Sequence, residues 1–140
     1  MYRSGAGLTP RPLRRIASGG ELSRVMLASK VVLGNADGVD TLVFDEVDAG
    51  VGGSTARALA GVLADLSATH QVIVVTHLAQ VAVMADKHYV VSKELGDVPQ
   101  THLDEVTGEA RTAEIARMLS GDQSEASLAH AKQMLEEARG

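Results

Sequence analysis

Two short apolar runs without polar alternation, Thr41-Leu42-Val43-Phe44 and Gln71-Val72-Ile73-Val74-Val75-Thr76, organise the hydrophobic pattern of this chain. Such runs predict strands covered on two faces, the habit of parallel sheets. Between them, Ala58, Leu59, Val62, Leu63 and Leu66 recur at helical spacing, predicting a helix from Ser54 to about Leu66. Strand, helix, strand is a βαβ unit, whose crossover is expected to be right-handed. Upstream, Leu22, Val25, Met26 and Leu33 form an apolar stripe, and Ser18 stands three residues before Glu21 in capping-box spacing. A helix is therefore predicted from near Gly20 to Gly34, with Gly34-Asn35 stopping it. Downstream, Leu78–Ala85 reads as a short helix and His88–Ser92 as a third strand. Lys93–Thr101, with Gly96-Asp97 and Pro99, reads as a hairpin turn, and Thr112–Leu119 and Ser124–Ala138 as two helices separated by Gly121.

Composition narrows the possibilities. The chain has 140 residues, 45% of them apolar, which suits one domain with a sizeable core. One Phe, two Tyr and no Trp make that core aliphatic. The absence of Cys excludes a disulfide framework and a thiolate zinc site and suits a reducing cytosol. No apolar run is long enough to span a bilayer and no export signal opens the chain, so a soluble cytoplasmic protein is expected. A net charge of −5 argues against a broad DNA-binding surface on this piece. Arg11, Arg14 and Arg15 form a local basic group that reads as a solvated linker. Residues 1–12, with two Gly and two Pro, read as a loop or a truncated edge.

The chemistry concentrates at three places. Ser18-Gly19-Gly20 opens a predicted helix, where small residues and the helix dipole let backbone N–H groups approach an anion. Taken alone, Ser18-Gly19-Gly20-Glu21 is more often a helix cap and nothing more. Asp45 and Glu46 end the first strand. Their carboxylates are hard ligands suited to Mg²⁺, with Asp45 the metal-side group and Glu46 placed to polarise water. His77 follows the second strand and is placed to hydrogen-bond a γ-phosphate. Asp48 begins an acidic, glycine-rich loop with Gly50, Gly52 and Gly53. Ligands of such sheets gather at the carboxyl ends of the strands, where Asp45, Glu46 and His77 fall. His70, His88, His102 and His130 read as surface or packing residues. No nucleophile triad and no zinc-ligand spacing is present.

In this order the motifs resemble those of ABC-type ATPase heads, most closely the SMC-like branch that serves bacterial DNA repair. Ala17–Glu21 is similar to the signature motif, Leu42–Glu46 to the Walker B strand, Asp48 to the D-loop and His77 to the switch histidine. The stretches Ile16–Ala28, Phe44–Gly53, Val75–Ala82 and Glu114–Gly121 carry the likeness. It implies an α/β fold, the C-terminal lobe of a P-loop ATPase head, with a parallel-strand core and flanking helices. Residues 13–93 would form that lobe and 94–140 the hairpin and C-terminal helices of the same head.

The implied cofactors are ATP and Mg²⁺. Asp45 would hold the Mg²⁺ shell, Glu46 would activate water and His77 would contact the γ-phosphate. Ser18, Gly19, Gly20 and Glu21 would close over nucleotide held by a second head, with Asp48 coupling the two sites. The implied partners are that second head in a homodimer, a missing N-terminal lobe, and DNA through the full-length protein. The protein would be nucleoid-associated in the cytoplasm, with no membrane attachment. A phosphate-cradling G-x-x-x-x-G-K-[ST] loop occurs nowhere in the sequence. The resemblance places it before Met1, so this chain alone is expected to hydrolyse ATP poorly or not at all. Glu21 and the loop Asp48–Gly53 favour the DNA-repair branch over other SMC-like heads, and transporter subunits usually carry Gln where Glu21 stands. The remaining alternative is a non-catalytic module that docks on ATPase heads.

Overall fold

A computed structural model describes residues 19–34, 36, 38–94 and 99–140. The loop expected at 1–12, the three arginines, Ser18, Asn35 and the Gly96-Asp97 turn lie outside the described residues. The chain divides into two compact units, Met1–Thr76 and His77–Gly140.

In the first unit, α1 (Gly19–Leu33) precedes β1 (Thr41–Asp45), α2 (Gly53–Ser67) and β2 (Gln71–Val75). The strands pair in parallel, with Thr41 opposite Gln71 and Asp45 opposite Val75, so both carboxyl ends lie at one edge. α1 packs against β1 and α2 against β2. Gly34 ends α1 in the left-handed region, φ 58°, its N–H bonded to the Lys30 carbonyl at 2.9 Å. From α2, Ala56, Leu59, Ala60, Leu63 and Leu66 are buried; of the predicted stripe Leu59, Leu63 and Leu66 face the core, whereas Ala58 and Val62 are exposed.

Two expectations fail here. The strands are covered on one face only: Leu42 and Phe44 are buried, whereas Val43 is 59% and Val75 57% exposed, with Ile73 exposed beside them. The apolar run states what the sheet is able to bury, and the described residues cover only one side. The stripe predicted for α1 also points the wrong way, because Leu22, Met26 and Leu33 are exposed. The buried side carries Gly20, Leu27 and Lys30. Gly20, Ser23, Arg24 and Leu27 share one helix face by their spacing, and two of them are polar.

The second unit contains α3 (Ala79–Ala82), β3 (His88–Glu94), β4 (Gln100–Val106), α4 (Gly108–Ser120) and α5 (Glu125–Glu137). β3 and β4 pair antiparallel, His88 opposite Val106 and Glu94 opposite Gln100. The turn predicted over 93–101 is therefore too wide, since Lys93, Glu94, Gln100 and Thr101 belong to the ladder. β4 escapes prediction because Gln100–Glu105 is exposed throughout and carries little apolar pattern. Ala79, Ala82, Val83, Ile115, Ala116, Ala131 and Leu135 form a closed aliphatic core, with Met118, Leu119, Leu128 and Met134 against it.

α3 is shorter than the predicted 78–85. Arg111 Nη2 donates to the carbonyls of Ala82, Val83 and Ala85 at 3.2, 3.4 and 2.6 Å, satisfying groups that another helical turn would otherwise use. α4 starts earlier than predicted, at Gly108, and ends at Gly121, φ 75°, whose N–H bonds the Arg117 carbonyl at 2.8 Å. Asp122 Oδ1 gathers the hydroxyls of Ser120, Ser124 and Ser127 and the Ser124 N–H, and these bonds hold its carboxyl down at about 2.

Candidate functional site

The carboxyl edge of the parallel pair carries most of the predicted residues. β1 ends at Asp45, and Glu46 then turns the chain with φ 57°, a left-handed conformation uncommon outside glycine. The turn closes with the Ala49 N–H on the Glu46 carbonyl and the Val51 N–H on the Asp48 carbonyl, each at 3.0 Å. Val47 and Asp48 are buried, Asp48 to 2% exposure. Its carboxylate accepts a hydrogen bond from the Thr76 hydroxyl, which ties the loop after β1 to the residue after β2. A buried carboxylate needs such a donor to offset the loss of water.

α1 meets this loop from its other side. The Ser23 hydroxyl donates to the Asp45 carbonyl at 2.6 Å. Arg24 Nη1 donates to two carbonyls, Val47 at 3.1 Å and Ala49 at 2.9 Å. The contact is close enough that α1 needs a glycine at position 20. A Cβ on Gly20 would strike the Glu46 carbonyl oxygen and the Ala49 side chain, and one on Gly19 would collide with the Glu46 carboxylate. At Gly20 only a residue without a side chain admits this approach, whereas at Gly19 the Glu46 side chain can give way.

Gly19, Gly20, Asp45, Glu46 and Asp48 are thus assembled in one place, with Glu21 in the first turn of α1 beside them. His77 opens the second unit and is exposed there. Sequence reasoning missed Ser23 and Arg24. The available signal was their spacing: they stand three and four residues after Gly20, on its own helix face.

Of the remaining histidines, His70 is buried, its Nδ1 2.9 Å from the Thr69 hydroxyl. His102 pairs with Glu94 at 3.4 Å on the surface and His130 is exposed. His88 lines a cleft of about 210 Å³ with Lys87, Glu105, Arg111 and Arg139 in the second unit. Burial first, and then the Arg111 charge, hold its imidazole below the ordinary value of 6.5, against the opposing charge of Glu114.

Among the described residues, no group of three or more His, Cys, Asp or Glu side chains could hold a metal ion. Asp45 and Glu46 supply hard carboxylate oxygens without a cage around them. That donor set fits Mg²⁺ held jointly with phosphate oxygens, and does not fit a resident, protein-caged ion. Among the described residues, no helix is long and apolar enough to cross a membrane.

The fold is a mixed α/β arrangement similar to an ATPase head of the SMC type. A solved structure described as "Structural biochemistry of ATP-driven dimerization and DNA stimulated activation of SMC ATPases" matches with a TM-score of 0.50 at 21% identity, covering 96% of this chain and 69% of that one. No protein-family model matches the chain.

In sequence the chain is RecN-like over nearly its whole length. It is 54% identical over 137 residues to the DNA repair protein RecN of Treponema pallidum, covering 96% of this chain and 24% of that protein. It is 56% identical over 125 residues to the RecN of Deinococcus radiodurans, covering 89% and 22%. The RecN of Mycobacterium leprae matches at 52% over 139 residues, 99% and 24%. The chain spans about a quarter of the length of these relatives.

Proposed function

We propose that the chain is the C-terminal half of a RecN-like ATPase head, which binds and hydrolyses ATP at an interface between two heads in the recombinational repair of DNA double-strand breaks. The observation that carries the reading is the junction of Gly19 and Gly20 with the Asp45–Asp48 loop at the carboxyl edge of a parallel pair. The RecN relatives supply the biological context and the SMC-type fold the dimeric one.

In this reading ATP and Mg²⁺ supply the phosphoryl group and the charge that offsets its build-up, and the protein contributes position and electrostatics. Asp45 would hold the ion through its water shell. Glu46 orients the attacking water and takes its proton. His77 hydrogen-bonds the γ-phosphate. Ser18, Gly19, Gly20 and Glu21 present the start of α1 to nucleotide on the facing head, and Asp48, fixed by Thr76, links the two sites. The nucleotide itself is held by a phosphate-cradling lobe contributed from the rest of a RecN-length protein. DNA engagement belongs to that full-length protein, in the cytoplasm and on the nucleoid.

Dimerisation tests this reading. The chain is joined to the rest of a RecN relative and made with Glu46→Gln, which keeps ATP but stops its hydrolysis. This protein is expected to sediment as a dimer with ATP and as a monomer without it, and a further Ser18→Arg change should abolish the dimer. A Glu46→Gln protein that stays monomeric with ATP, while the parent relative dimerises under the same conditions, would overturn the proposal.

A further inference from the structure

The inference concerns Arg24 and rests on the ATPase reading above. In the second half of its first two turns, α1 presents Ser23 and Arg24 to the loop that carries Asp45, Glu46 and Asp48. One guanidinium nitrogen, Arg24 Nη1, bridges the carbonyls of Val47 and Ala49. These residues flank Asp48, so the bridge clamps the loop on both sides of that aspartate. Ser23 grips the same loop one step earlier, at the Asp45 carbonyl.

The loop needs such a clamp. Glu46 holds a left-handed backbone, which costs of order 1–3 kcal/mol for a residue other than glycine and persists only where the surroundings enforce it. Gly20 packs against the Glu46 carbonyl oxygen, and a side chain there would also approach Arg24 Nη1. The two carbonyls that Arg24 reaches lie in a part-buried setting, where a charge-assisted bond is worth more than a neutral one.

We propose that Arg24 is a positioning residue that fastens the Asp45–Ala49 loop to α1, so that the start of α1 and the Glu46 carboxylate move as one body. Any displacement of α1 by a facing head is then transmitted to Glu46 and Asp48 through two hydrogen bonds from one nitrogen.

The test uses the chain joined to the rest of a RecN relative, in four forms: unchanged, Arg24→Ala, Arg24→Lys and Glu46→Gln. Arg24→Ala is expected to lower kcat about tenfold to a hundredfold with KM for ATP held within about twofold, because geometry and not binding is disturbed. Arg24→Lys restores most of kcat, since one ammonium nitrogen can also donate to two carbonyls. Hydrogen exchange at the Ala49 and Val51 amides should accelerate in Arg24→Ala, with β1 and β2 unchanged. If Arg24→Ala turns over like the unchanged protein while Glu46→Gln is dead, the inference fails and the ATPase reading stands. If Glu46→Gln turns over normally, the ATPase reading itself fails. A loss in Arg24→Ala that Lys does not restore, accompanied by faster exchange throughout the strands, marks a purely structural role and also overturns the inference.

Discussion

The two units of the chain each bury an apolar core but join their parts differently. The second unit closes a core of Ile115, Ala116, Ala131 and Leu135 with small and aliphatic neighbours. The first buries Leu42 and Phe44 but leaves Val43, Ile73 and Val75 exposed on the other face of its strands. Its tightest junction, between α1 and the loop after β1, is polar: Ser23 and Arg24 satisfy backbone carbonyls, and glycines bring the parts together. Each unit leaves some apolar side chains open, on the strand face of the first and at Tyr89, Val91 and Leu103 of the hairpin in the second, and each spends an arginine on backbone carbonyls, Arg24 in the first and Arg111 in the second.

The largest expected effect lies in the cores. Ile115→Ala removes a side chain with no exposure and should cost about 2–5 kcal/mol. Urea denaturation gives the loss, and residue-resolved hydrogen exchange should place it in 77–140. Exchange rising equally in both units would break the comparison.

Next come the two glycines. Gly20→Ala meets backbone oxygen and the Ala49 methyl and should cost roughly 1–3 kcal/mol by overpacking. Gly19→Ala meets only the end of the Glu46 side chain, which can swing away, so the loss should stay below about 1 kcal/mol. Equal losses in thermal melts would mean that the junction is not held as tightly as the geometry states.

A smaller effect is expected on the open face of the strands. Val43→Thr and Val75→Thr should each change stability by no more than about 0.5 kcal/mol, while reducing self-association measured by light scattering. A core-sized loss at either position would show that this face is covered in solution.

The smallest effect is one of pH. With its folded-state value held below 6.5, His88 binds a proton less readily in the folded chain than in the unfolded one. Its contribution to stability is therefore complete above 6.5 and is lost as pH falls through that value towards the folded one. Urea midpoints at pH 7.5 and 5.5 should fall less in His88→Gln than in the unchanged chain. An identical fall would remove His88 as a cause.

Where apolar period decides the fold, the sequence was readable. Leu59, Leu63 and Leu66 of α2 follow directly from it, the parallel pair was readable from its two apolar runs although one face stays open, and Gly121 marks the boundary between the last two helices. β4 was hidden because its side chains face water on both sides and its partner strand alone defines it. The burial side of α1 was hidden for a different reason. Its packed face is chosen by two glycines and two polar residues that serve carbonyls, a choice no hydrophobicity pattern records. Gly19, Gly20, Asp45, Glu46 and Asp48 were legible as a constellation because each residue type answers a chemical requirement at a strand end or helix start. Arg24 was not, because its role exists only once the loop is folded beside it.

The most direct test of the ATPase account is steady-state ATP hydrolysis by the chain alone, by the chain joined to the rest of a RecN relative, and by the joined protein with Glu46→Gln. The account predicts no turnover for the chain alone, turnover for the joined protein, and a loss of about a hundredfold or more on removing the Glu46 carboxylate. A joined protein that stays silent while the parent relative turns over, or one indifferent to Glu46→Gln, would contradict it.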